Sequence, residues 1–154
     1  MCLIIIKIIA MNENKLSLND FIKFETISCL NLKKYNQHSI GLNNTLSVIQ
    51  HFIKKKKIDS KDCYFYFLEN YAGFVYGYKL NHNGFKISLI AIDPKYQNKK
   101  LGSLLIQYLQ NNYSYLISDI QTENYKSKNL FKKFHFNLEL KPLGTSFKGV
   151  WKKN

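Results

Sequence analysis

A chain of 154 residues is about one domain, and a composition that is 45% hydrophobic and 15% aromatic, with only two prolines and seven glycines, excludes disorder or a fibrous repeat. The formal net charge of +13 comes from lysine alone, because the sequence has no arginine. This gives a general attraction to anions without the planar fork that grips phosphate or guanine at two points. Charge alone leaves nucleic acid, a membrane surface, a phosphorylated cofactor and a plain solvated surface as readings.

In chain order, "CLIIIKIIA" at 2–10 is apolar but short, is broken by Lys7, and lacks the basic flank and small-residue cleavage pattern of a leader. It reads as a buried strand, with no membrane partner expected; initiation at Met11 would remove it. "SLNDFIKFETISCLNLKKY" at 17–35 spaces Leu18, Phe21, Ile22, Ile27 and Leu30 helically, with Ser17 or Asn19 as cap. "NNTLSVIQHFIKKKK" at 43–57 reads as a second helix, whose Lys54 to Lys57 complement the dipole at its C-terminal end and form a solvated face rather than a nucleic-acid patch.

Three segments rich in aromatic and β-branched residues follow, "CYFYFLEN", "YAGFVYGYKLN" and "GFKISLIAI", with "NHNG" at 81–84 as a hairpin signal between the last two. "AIDPKYQNKKLGSLLIQYL" at 91–109 then runs from a strand through a polar turn into a helix with Leu101, Leu104, Leu105, Tyr108 and Leu109 on one face. "YSYLISDIQ" is a strand, "NYKSKNLFKKF" a short helix with Leu130, Phe131 and Phe134 on one side, and "FNLELKPL" and "SFKGVWK" are closing strands. No linker interrupts the order, so a single α/β (α+β) domain over 1–154 is expected, with a six- to seven-stranded sheet and about four helices.

A strand feeding a tight turn that opens a helix exposes several unbonded backbone N–H groups, an arrangement suited to pyrophosphate. Gly102 allows a close approach of backbone to ligand, and Lys95, Lys99 and Lys100 add charge. An ordinary basic connection has the same outline. Cys2, Cys29 and Cys63 are odd in number with no paired spacing, so no disulfide framework or metal site is expected, and a cytoplasmic location fits. His38, His51, His82 and His135 form no pattern with Cys63, and His82 and His135 fall in turns.

"IAIDPKYQNKKLGSLL" resembles motif A of the GNAT superfamily, the GCN5-related N-acetyltransferases, whose usual form is Gln/Arg-x-x-Gly-x-Gly/Ala. Gln97 matches the first position and Gly102 the last, and Lys100 stands at the first glycine. "NYKSKNLFKKFHF" at 124–136 resembles motif B, Asn-x-x-Ala-x-x-x-Tyr-x-x-x-Gly-Phe. Asn124 and Phe136 match, while Ser127, Phe131 and His135 replace alanine, tyrosine and glycine. "YAGFVYG" is similar to the family's third strand.

The resemblance implies a mixed, largely antiparallel sheet that splays between the strand ending at Ile92 and the strand around Asp119. It also implies transfer of an acetyl group from acetyl-CoA, the co-substrate, to a primary amine by direct attack. The pantetheine arm would pair near Ile90 and Ile92; Gln97, Asn98, Lys99, Lys100, Leu101, Gly102 and Ser103 would hold the pyrophosphate; Asn124 and Phe131 would flank the thiol. In similar N-terminal acetyltransferases the base lies twelve residues before the tyrosine acid, which falls on Asp119, otherwise a solvated carboxylate or an ion-pair partner of a lysine. Two further base positions fall on Lys86, which as an ammonium cannot accept a proton, and Ser88, which could hold a water. Phe131 has no hydroxyl and cannot be the acid. The acceptor would be an amine-bearing small molecule or protein, and the protein a monomer or homodimer. Two alternatives are a CoA-binding member with impaired catalysis and a nucleic-acid-binding module, the latter opposed by the lack of arginine and of any recognised motif.

Overall fold

The structure is a computed structural model and describes residues 7–36, 62–97 and 99–154. The predicted helix at 43–57, with Lys54 to Lys57, lies outside the described residues, as do Cys2 to Ile6 of the first predicted strand. Seven strands form one sheet: β1 (Ile8–Asn12), β2 (Cys63–Leu68), β3 (Gly73–Leu80), β4 (Gly84–Ile92), β5 (Tyr115–Gln121), β6 (Asn137–Leu140) and β7 (Ser146–Lys152), in the order β1-β2-β3-β4-β5-β7-β6. Every pair is antiparallel except β4 and β5, which are parallel because α2 (Leu101–Asn112) carries the chain between them. The other helices among the described residues are α1 (Leu18–Asn36) and α3 (Tyr125–Lys133). The expected mixed, mainly antiparallel sheet is thus the one observed.

Strand alternation builds two cores. In β2, Phe65 and Phe67 face one side with Phe74, Tyr76 and Ala91, while Tyr66 and Leu68 face the other with Val75, Phe85 and Ile87. Helix α1 covers the first side, with the Phe24 ring stacked on Phe65 at 4.9 Å and 4.8 Å from Phe74. Leu105, Ile106 and Leu109 of α2 and Phe131 of α3 cover the second. The inward stripe of α1 is Phe21, Phe24 and Ile27, whereas Leu18 and Ile22 of the predicted face are exposed. Ser17 caps α1 as expected: its hydroxyl accepts from the Asp20 N–H, and Asp20 accepts from the Ser17 N–H, each at 3.1 Å. The β3–β4 hairpin turns through His82 and Asn83, both left-handed, which is what "NHNG" predicts.

Two register features shape the centre of the sheet. Tyr76 pairs with Leu89 but Gly77 pairs with Ile87, so Ser88 is an extra residue in β4, a β-bulge. The parallel pairing of β4 with β5 covers only Gly84–Ile87 against Tyr115–Ser118. Beyond it β4 stays with β3 as far as Ile92 and β5 stays with β7 as far as Gln121, so the two strands part just after the bulge.

Candidate functional site

The parting of β4 and β5 opens the sheet at their C-terminal ends, and the sequence that follows each strand arms that opening. After Ile92 the Asp93 carboxylate accepts from the Lys95 N–H at 3.0 Å and caps a single 3-10 turn, Pro94–Tyr96. Gln97 follows, then Lys99 and Lys100, both exposed, and α2 starts at Leu101. Lys100 has φ 59° and ψ 25°, a left-handed backbone that a glycine would adopt without strain, so the departure at this motif position keeps the fold of the turn while changing the residue. No side chain among the described residues caps this helix start. After β5, Asn124 accepts from the Ser127 N–H at 3.1 Å and caps α3. The Lys126 ammonium donates to the Gln97 amide oxygen at 3.2 Å, tying the first turn of α3 to the loop before α2. Two helix N-termini and Lys99, Lys100 and Lys126 therefore lie together at the opening, a positive setting for a polyanion.

The predicted site residues divide into those gathered here and those placed elsewhere. Gln97, Lys99, Lys100 and Asn124 belong to the opening, and Asn98 lies outside the described residues. Ile90 and Ile92 pack against the core under α2 and α3, leaving their backbone along the part of β4 that β5 does not follow. Leu101 is a core residue. Ser103 is half-buried in the first turn of α2. At Gly102 a Cβ would stand 3.2 Å from the Leu130 side chain, so the glycine also lets α2 and α3 meet. Phe131, 1% exposed and edge-on to Phe136 with ring centres 4.8 Å apart, is a core aromatic at the end of α3 that faces α2.

On the other face of the sheet, beside the bulge, lie Lys86, Ser88 and Asp119. Phe85, Ile87, Leu116 and Ile120 point into the core under α2, so the alternate residues Lys86 and Asp119 point to the α1 side. Asp119 is held at 2.9 Å by Lys86 and at 2.8 Å by Lys141. Burial pushes its carboxyl up, but the bonds and charges of the two lysines outweigh this and hold it below the usual carboxylate range. Of the readings open for this position, a base, a solvated carboxylate or an ion-pair partner of a lysine, the ion pair is the one present. Ser88 is exposed at the bulge.

Glu25 escaped the sequence reading. It lies on α1, 8% exposed, and burial pushes its carboxyl up to about 7. The signal was its place one turn after Phe21 and three residues before Ser28, inside the apolar stripe. Tyr66 and Tyr113, whose buried hydroxyls bond to each other, were equally silent. Among the described residues no group of three or more His, Cys, Asp or Glu could hold a metal ion, and no helix is long and apolar enough to cross a membrane.

Solved structures share this architecture over nearly their whole lengths. An acetyltransferase from Thermus thermophilus matches with TM-score 0.72 at 14% identity, covering 95% of this chain and 97% of its own. The PaiA N-acetyltransferase of Thermoplasma acidophilum, solved with coenzyme A, matches with TM-score 0.63 at 16% identity (96% and 99% covered). The spermidine N-acetyltransferase of Vibrio cholerae, solved with CoA and spermine, matches with TM-score 0.63 at 15% identity (94% and 95% covered). At these identities the likeness is one of fold. No curated protein matches the sequence. The family model of the acetyltransferase (GNAT) family, however, matches residues 30–136, which span both motifs and the opening of the sheet, and the chain belongs to that family.

Proposed function

We propose that the protein transfers an acetyl group from acetyl-CoA to a primary amine by direct attack of the amine on the thioester. The observation that carries this reading is the parting of β4 from β5 after Ile87 and Ser118, with a lysine-rich turn and two helix N-termini at its mouth. An extended, amide-bearing arm fits along the backbone of β4 from Leu89 to Ile92 as a peptide fits a strand edge. The loop of Gln97, Lys99 and Lys100 with the start of α2 receives the pyrophosphate. The pairing of Asp119 with two lysines makes it a poor proton acceptor, so the proton is not routed through it here. The acceptor is a small molecule or a protein amine met in the cytoplasm.

Calorimetry with acetyl-CoA at low salt, beside release of free thiol in the presence of primary amines, tests the proposal: saturable binding with amine-dependent thiol release is expected, and a folded protein without CoA affinity refutes it. A second reading, a CoA-binding member with impaired catalysis, is favoured by one observation, the buried Phe131 where similar enzymes carry a tyrosine acid. It predicts binding without thiol release. Binding to RNA that falls steeply with salt, with no CoA affinity, would instead mark the surface lysines as a nucleic-acid face.

A further inference from the structure

Where an acceptor meets the thioester follows from the direction of the cofactor. With the pyrophosphate at Gln97, Lys99 and Lys100, the arm runs back along β4 from Ile92 towards Leu89. Its thiol end then reaches the bulge at Ser88, the apex where β4 and β5 part. On the α2 side this apex is backed by Ile87, Leu116, Ser118 and Ile120, all buried. On the α1 side Ser88 and Asp119 are exposed, so an amine reaches the acyl carbon past their side chains.

The charge on that side is unbalanced. Lys86 Nζ and Lys141 Nζ each contact one Asp119 oxygen, at 2.9 Å and 2.8 Å, and Lys148 stands directly across the β5–β7 ladder from Asp119, on the same face. Three lysines thus share the neighbourhood of one carboxylate. Glu139 lies one strand further from the opening, opposite Lys148, and Glu123 lies beyond the end of β5, towards the mouth. Residues 37–61 hold a single acid, Asp59, against Lys54 to Lys57 and Lys61, so they add no acid surplus that could reverse the sign. Each ammonium carries three donors; Lys86 and Lys141 each direct one at Asp119, which leaves N–H groups for a second anion.

We propose that the acceptor is an anionic amine, one that carries a carboxylate or a phosphate a few bonds from its reacting nitrogen, and that Lys141 and Lys148 hold that anion beside the apex. The inference rests on the acetyltransferase reading above. Lys86, with 18% of its side chain exposed, anchors Asp119, while Lys141, 39% exposed, and the exposed Lys148 face the solvent from which the acceptor comes. A polyamine would meet ammonium groups where it needs carboxylates, and Asp119, already shared between two lysines, does not draw a further cation. In the transfer the nitrogen lone pair forms the bond to the thioester carbonyl carbon, the carbon–sulfur bond breaks, CoA leaves as the thiolate, and the proton lost by nitrogen passes to water on the exposed side.

The test uses the full chain with acetyl-CoA and amines of matched length: glycine, 4-aminobutanoate and 6-aminohexanoate, then the amino alcohols and the diamines of the same lengths. Comparison of 2-aminoethyl phosphate with glycine tells whether phosphate or carboxylate is preferred. Thiol release gives kcat/KM for wild type, Lys148→Gln and the double variant Lys141→Gln with Lys148→Gln, with thermal melting and acetyl-CoA affinity as controls. In wild type the best anionic amine should exceed its amino alcohol by about tenfold or more and its diamine by more still, and the ratio should shrink as salt rises. Lys148→Gln should cut that ratio about threefold, and the double variant should abolish it while keeping acetyl-CoA affinity within about threefold. A ratio between matched acceptors cancels the general loss of activity that a merely structural role would cause. A diamine or amino alcohol that equals the best anionic amine in wild type overturns the inference, as does an unchanged ratio in the double variant. Lys148→Gln breaks no ion pair of Asp119, so it decides alone where the double variant does not fold.

Should none of these amines turn over, calorimetry of the same compounds with the CoA-loaded protein decides. Saturable binding of an anionic amine that weakens in Lys148→Gln supports the inference; binding of none of them, or equal binding of the diamines, refutes it. A folded wild type without CoA affinity refutes the acetyltransferase reading and the inference with it, whereas turnover led by a diamine refutes the acceptor class alone.

Discussion

Lys86 Nζ lies 2.9 Å from the Asp119 carboxylate across the one parallel strand pair of the sheet, at the level where β4 and β5 separate. Lys86 is in the last stretch of β4 that β5 still follows, and Asp119 is the first residue of β5 beyond it. The bridge therefore acts as a clasp at the apex of the opening. With Lys141 on the second oxygen, it closes the α1 side of that apex with charge while Ser118 and Ile120 close the other side with buried core.

Removing the clasp has a signed pH signature. The Asp119 carboxyl is depressed in the folded state, so its contribution is present above the unfolded value, near 3.8, and is lost as pH falls through the lower folded value. Asp119→Asn should lower the unfolding free energy by a constant, modest amount above about pH 5, and the difference should vanish in strong acid. Urea titrations from pH 2 to 7 measure it. An equal difference at pH 2 would mean that the asparagine disturbs packing rather than charge.

The bulge depends on Gly77. A Cβ at that position would collide with the Lys86 carbonyl oxygen and the Phe85 ring, both on the strand whose register shifts at Ser88. Backbone cannot yield as a side-chain tip can, so Gly77→Ala should cost about 3 kcal/mol or more and weaken CoA binding with it, by moving the strand edge along which the arm lies. Chemical denaturation gives the first number and calorimetry the second. Gly77→Ala with wild-type stability would show that the bulge relaxes freely.

Lys100 and Gly102 separate conformation from charge. Lys100→Gly relieves a left-handed backbone costing about 1–2 kcal/mol but adds unfolded-chain entropy, so the net gain should be about 0.5–1 kcal/mol. Lys95, Lys99 and Lys126 remain, so CoA affinity should fall less than about tenfold; a larger loss would assign Lys100 a direct phosphate contact. Gly102→Val crowds Leu130 and should lower stability by about 1–3 kcal/mol.

What the sequence revealed were the features written in local chemistry. The Ser17 cap, the left-handed His82 and Asn83 in the hairpin, the strand, turn and helix after Ala91 and the Asn124 cap all follow from residues within a few positions of one another. Features decided by distant partners stayed hidden. Nothing near Ser88 announces a bulge, because the cause is the register against Gly77. Nothing near Asp119 names Lys86 and Lys141, 33 and 22 residues away, among 23 lysines. The packing of Phe136 on Phe131 and of Leu130 under Gly102 is likewise decided by how the α3 turn folds back and how α2 meets α3, and neither partner is named by the residues beside them.

Glu25 carries a stability prediction that needs no substrate. Burial pushes its folded carboxyl up to about 7 against an ordinary 4.5, so the protonated form is the one the folded chain favours. The sign is opposite to that of Asp119: stability is fully present below the unfolded value and is lost as pH rises through the folded one. Wild type should therefore weaken from about pH 4.5 to 7 and level off above, by an amount on the order of 2–3 kcal/mol at most. Glu25→Gln keeps the shape and removes the charge. At pH 4 it should match wild type, and at pH 8 it should be more stable, with a melting temperature several degrees higher. A Glu25→Gln protein whose melting curves track those of wild type from pH 4 to 8 would show that the carboxylate is solvated in both states.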